Sequence, residues 1–86
     1  MPSWRYQNLL IYITPGDHTP PHIHVDGPQG QIRIDISYDE PKLMQYKKGC
    51  LVQGKFSQKD IRRALKYATD NLLELRTQWR DYNERN

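Results

Sequence analysis

The chain has 86 residues, 36% of them apolar and 27% charged, with a net charge of +3. That length excludes a second domain and a deep internal pocket, so one domain over 1–86 is expected, with any site in a surface cleft or on a sheet face. The start of the chain reads as lacking a secretory leader, and the Leu9–Ile13 run is too short to span a membrane. The single cysteine, Cys50, excludes an internal disulfide framework. A reducing cytoplasmic location and no membrane partner are expected. Cys50 stands before Leu51-Val52 and reads as a small apolar residue in preference to a nucleophile. The mild positive charge permits a nucleic-acid partner without demanding one.

Taken in order, Leu9-Leu10-Ile11-Tyr12-Ile13 is a short apolar run rich in β-formers, which predicts a largely buried strand over about 9–14. Thr14-Pro15-Gly16-Asp17 ends it with turn residues, and Pro20-Pro21 imposes an extended approach to a second strand, 22–26. Gly27-Pro28-Gln29-Gly30 is a turn into a third strand, 31–37. Ile32, Ile34 and Ile36 alternate with Arg33, Asp35 and Ser37, so one face is aliphatic and the other polar. Ile23 and Val25 then form the inward pair of the second strand, and His22 and His24 take the opposite face. A four-residue turn at Gly27–Gly30 pairs Asp26 with Gln31, His24 with Arg33 and His22 with Asp35. Tyr38–Lys42 reads as a loop, and a fourth strand is placed at 50–55.

Ser57 followed by Asp60 is a variant of the helix capping box. Ile61, Leu65, Ala68, Leu72, Leu75 and Trp79 recur at spacings of four and three, the stripe of an amphipathic helix over 58–81, with Asp70-Asn71 its weak point. A coiled-coil seam fits the same stripe, but the sheet needs a cover and no other segment supplies one. The fold class is therefore α+β: a three- to four-stranded, mainly antiparallel sheet covered on one face by a long C-terminal amphipathic helix. Lys59, Arg62, Arg63 and Lys66 cluster at the helix start and offer weak phosphate contacts, or simply a solvated helix face. Trp4, Tyr6, Tyr12, Tyr38 and Tyr46 are candidates for base stacking, although most read as core edges.

All three histidines, His18, His22 and His24, fall within seven residues, flanked by Asp17 and Asp26. On a strand, His22 and His24 share one face, roughly 6.5–7 Å apart along the chain. Three readings stay open. In the first, His22 and His24 with His18 or an aspartate hold a zinc ion with an open position for hydrolysis. In the second, His22, His24 and supporting His18 perform metal-free acid–base chemistry. Asp35 then orients His22, while Arg33 and Asp17 bind substrate. Two imidazoles and a cation suit phosphodiester cleavage in RNA. In the third, the histidines are exposed sheet residues or a partner-binding surface.

The run Asp17-His18-Thr19-Pro20-Pro21-His22-Ile23-His24-Val25 resembles a large bacterial family labelled as a domain of unknown function, number 4160. Its members share a short apolar first strand, an Asp-His-x-Pro-Pro-His-aromatic-His motif, a hairpin, and a helical region with a late tryptophan, here Trp79. The resemblance extends over about residues 5 to 80. Ile23 departs from the usual aromatic, and the loop Tyr38–Gly49 is longer than in many members. The resemblance implies a small toxin–antitoxin-type protein or its cognate partner, and some members are labelled as transcriptional regulators. It further implies that Asp17, His18, His22 and His24 form the functional patch.

Overall fold

The computed structural model describes residues 2–16, 19–45, 49 and 51–84. Six strands are followed by two helices: β1 (Ser3–Tyr6), β2 (Leu9–Tyr12), β3 (His22–Asp26), β4 (Gly30–Asp35), β5 (Lys42–Leu43), β6 (Leu51–Gly54), α1 (Gln58–Asp70) and α2 (Leu72–Asn83). The strands form one antiparallel sheet in the order β1-β2-β3-β4-β5, with β6 also paired to β4. β5 takes the Ile34–Asp35 end of β4 and β6 takes the Gly30–Ile32 end, so two short strands share one edge.

The sheet is larger than the three or four strands expected, and the additions have local causes. In β1, Trp4 and Tyr6 alternate with Ser3 and Arg5, a pattern only four residues long. Its hairpin to β2 turns at Gln7-Asn8, where Gln7 takes a φ of 56° in a position that normally calls for glycine. β5 has two residues and lies within the stretch read as loop. β2 and β4 are shorter than the expected 9–14 and 31–37, although their ladders are extended by single bonds. Ile13 N donates to Pro2 O at 3.1 Å, and Ile36 N donates to Pro21 O at 3.0 Å. β6 covers 51–54 of the expected 50–55. Cys50 and Tyr46 lie outside the described residues.

The β3–β4 hairpin has the expected register: His22 opposite Asp35, His24 opposite Arg33, Asp26 opposite Gln31. It closes through Gly27 N donating to Gly30 O at 2.8 Å. Gly30 also faces Gly54 where β4 and β6 touch. A Cβ on Gly30 would stand 2.5 Å from Lys55 O and 2.6 Å from Gln53 O, so only glycine fits between these backbones.

A helical region was placed at about 58–81 with Asp70-Asn71 as its weak point, and two helices are found, broken at Asn71 with φ −121° and ψ 22°. The Asn71 side chain supplies the reason: its Nδ2 donates to Tyr67 O at 2.9 Å, beside the backbone bond from Asn71 N to the same oxygen at 3.1 Å. A short amide side chain competing for helix carbonyls favours a break. At the start of α1, Ser57 Oγ accepts from Asp60 N at 3.1 Å. Asp60 does not complete the box, because its carboxylate accepts instead from Asn8 Nδ2 and Arg63, each at 3.3 Å.

Leu9, Ile11, Ile13, Ile23, Val25, Ile32, Ile34 and Ile36 are fully buried and form one cluster with Ile61, Ala64, Ala68, Leu75 and Trp79 from the helices. Leu65 and Leu72 of the expected stripe are only partly buried, and Ala64, absent from that stripe, is fully buried. Arg76 Nε ties α2 to the sheet by donating to Ile36 O at 2.7 Å. Among the described residues no helix is long and apolar enough to cross a membrane. The aliphatic face is thus committed to the core, and strand alternation sends the polar residues of β2, β3 and β4 to the other side.

Candidate functional site

On that second face the register sets side chains in rows across the strands. Ser3, Tyr12, His24 and Arg33 form one row. Arg5, Leu10, Asp26, Gln31 and Gln53 form the row toward the hairpin turn. His22, Asp35 and Lys42 form the row on the other side. His22 and His24 are not the exposed sheet residues of the third reading. Both His22 and His24 are 6% exposed, although the helices share a core with the opposite face.

His22 Nδ1 lies 2.9 Å from Pro20 O. A carbonyl oxygen only accepts, so Nδ1 is the donor and, in the neutral ring, Nε2 is the basic nitrogen. The proline pair makes this bond possible by holding the chain extended just before the strand. His24 is gripped differently: its Nε2 is 3.1 Å from Thr14 Oγ1, and its ring stacks on Tyr12 at a centroid distance of 5.1 Å and an interplanar angle of 14°. The two imidazoles meet at 5.2 Å, tilted by 55°.

Behind His24 a second polar group is fully connected. The Tyr12 hydroxyl donates to Asp26 Oδ1 at 3.1 Å, while Gln31 Nε2 donates to the Tyr12 oxygen and to Asp26 Oδ1, both at 2.6 Å. Burial, then the hydrogen bond to the Asp26 carboxylate and its charge, push the Tyr12 phenol up to about 12, against the opposing charge of Arg33. Tyr12 therefore stays protonated at physiological pH.

The face brings His22, His24 and Arg33 together. It does not join Asp35 to His22 as expected: the Asp35 carboxylate accepts from Ser37 N at 2.8 Å and from Ser37 Oγ at 2.6 Å. Register makes the two residues opposite neighbours, but a local two-residue turn captures the carboxylate. Asp17 and His18 lie outside the described residues. Among the described residues no group of three or more His, Cys, Asp or Glu is placed to hold a metal ion. The expected zinc set of His18, His22 and His24 includes one residue beyond that description.

The basic cluster belongs to the helix layer. Arg63 pairs with Asp60 at 3.3 Å and Lys66 with Asp70 at 2.9 Å, whereas Lys59 and Arg62 are exposed and form no ion pair among the described residues. A groove of about 420 Å3 is lined by Pro28, Gln29, Lys55, Phe56, Ser57 and Asp60, and neither His22 nor His24 lines it.

Thr14 is a site neighbour that pattern reading passes over, while pattern marks Tyr12 only as a stacking or core-edge aromatic and Gln31 only as the partner of Asp26. Tyr12 had one signal, its position between inward-facing Ile11 and Ile13. Its pairing with His24 depended on the path of the 13–21 connection, which no period encodes.

A family model described as Domain of unknown function (DUF4160) matches residues 8–80. The chain has no match among curated proteins or solved structures.

Proposed function

The chain belongs to the DUF4160 family, and on that footing we propose that it is a cytoplasmic toxin–antitoxin-type component acting on RNA through its histidine face. The observation that carries this reading is the contact of two imidazoles, 5.2 Å between centroids, in rows adjoining Arg33. In the reaction envisaged, His22 Nε2 takes the proton of a ribose 2′-hydroxyl, and the freed oxygen attacks the adjacent phosphorus. The P–O5′ bond breaks, His24 protonates the departing oxygen, and a 2′,3′-cyclic phosphate remains. Arg33 stabilises the charge on the phosphorane. His22 is given the basic role because its Nδ1 proton is committed to Pro20 O. Exposed Lys59 and Arg62 are proposed as weak contacts to more distant phosphates.

A second reading is a docking face for a cognate small protein without catalysis. A zinc-dependent hydrolase would need His18 or Asp17 as a further ligand beside His22 and His24.

The test compares untagged wild type with His22→Ala, His24→Ala and the double variant, each checked for folding by thermal melt. RNA cleavage and growth arrest that vanish in both single variants are expected, with removal of metal leaving the wild-type rate unchanged. Cleavage that survives both changes sinks the nuclease reading. Loss of complex formation without any activity in the wild type selects the docking reading. About one transition-metal ion per chain, lost in the double variant, selects the zinc reading.

A further inference from the structure

We infer that Tyr12 is a positioning residue for His24: its ring, anchored by Asp26 and Gln31, sets the plane of the imidazole on the polar face of the sheet. Tyr12 and His24 are direct cross-strand partners in β2 and β3, so their side chains leave the sheet on the same side. Near-parallel planes at 5.1 Å describe an offset stack. A stack alone lets both rings slide. Here the tyrosine is tied at its far end.

The hydroxyl reaches into the neighbouring row and meets the Asp26–Gln31 pair, itself a cross-strand partnership of β3 and β4. A carboxylate accepts and never donates, so the Gln31 atom facing Asp26 Oδ1 at 2.6 Å must be the amide nitrogen. That nitrogen also donates to the Tyr12 oxygen at 2.6 Å, and the hydroxyl then has its own proton for Asp26 at 3.1 Å. All three groups are mutually bonded, each using a donor or acceptor the others need. A hydroxyl bonded on both sides inside such a triangle fixes the far end of the ring, which is a mechanical role. Strands β2, β3 and β4 each contribute one corner, so the anchor also resists sliding of the strands beneath the histidines. His22 is held by a different contact, the carbonyl of Pro20.

This placement concerns the ring of His24 whatever reaction it serves. The test is long-range 1H–15N correlation of the histidine side chains in wild type, Tyr12→Phe, Tyr12→Leu and Gln31→Ala, with amide spectra confirming the fold. The phenylalanine variant keeps the stack but loses the tether, and is expected to move the His24 nitrogen pattern part of the way toward that of Tyr12→Leu. Tyr12→Leu and Gln31→Ala are expected to move His24 toward averaged tautomer shifts while His22 keeps its Nδ1–H pattern. An unchanged His24 pattern in folded Tyr12→Leu overturns the inference. If that variant fails to fold, an unchanged pattern in Gln31→Ala overturns it. Should the wild type cleave RNA, Tyr12→Leu is expected to lower kcat by roughly ten-fold or more with KM unchanged, as a displaced catalytic group does. A displaced His24 in a protein that cleaves no RNA leaves this inference standing and removes only the nuclease reading.

Discussion

Replacing Tyr12 by phenylalanine removes one oxygen and leaves the stack on His24 intact. Asp26 and Gln31 remain bonded to each other at 2.6 Å, so neither is stranded by the change. What is lost is a hydroxyl donated to a carboxylate. Only part of the upward shift of Tyr12 reflects that loss, because burial raises this phenol most and the bond to the Asp26 carboxylate comes second. Raising a phenol from 10.0 to about 12 corresponds at full value to about 2.7 kcal/mol, at about 1.36 kcal/mol per tenfold change in acidity. Solvent reaches much of this ring, and screening reduces the figure to about 1 kcal/mol, the usual net value of one such bond. The folded-state pKa lies above the unfolded one, so the contribution is fully present below pH 10.0 and is lost as pH rises through about 12. Denaturant unfolding of both proteins at several pH values between about 8 and 12 measures it. Tyr67, whose phenol burial also raises, is present in both proteins and cancels in the difference. Wild type is expected to be more stable by about 1 kcal/mol at pH 8, roughly 4–8 °C in Tm, with the advantage shrinking above pH 10. A difference that stays flat across this range, or a Tyr12→Phe protein as stable as wild type at pH 8, would refute the anchor.

Three further outcomes are expected away from the histidines. Gly30→Ala places a Cβ 2.5 Å from Lys55 O and 2.6 Å from Gln53 O, and should destabilise by about 1–3 kcal/mol through overpacking; an unchanged melting temperature would contradict the close β4–β6 approach. Ser57→Ala removes the acceptor of the Asp60 amide at 3.1 Å and should lower stability by about 1 kcal/mol, with loss of helical circular dichroism on heating beginning earlier. Ile34→Ala empties a site of 0% exposure in the middle of the sheet and should lower stability by about 2–5 kcal/mol in urea unfolding; a value below about 1 kcal/mol would mean that the core collapses around the gap.

Local patterns were enough to determine much of this protein. Strict alternation in β4 and the adjoining positions of β3 decided which residues face the core: Ile23, Val25, Ile32, Ile34 and Ile36 are all 0% exposed. The Gly27–Gly30 turn, with its fixed length, then set the pairing of His24 with Arg33 and of His22 with Asp35. Both results follow from geometry that extends only a few residues along the chain. The tertiary structure decided the rest. β1 and β5, with four and two residues, carry too little pattern to stand out and exist because a neighbouring strand completes their hydrogen bonds. Two details are local: Asp70-Asn71 was legible as the weak point of the helix, where the Asn71 amide donates to the Tyr67 carbonyl, and the Asp35 carboxylate accepts from Ser37 two residues on. The environment of His24 was the least legible part, because Tyr12 and Thr14 reach it from β2 and the start of the following connection, 12 and 10 residues earlier in the chain. Sequence period determines which face a side chain occupies, whereas the partner it meets there is set by how distant strands come to lie side by side.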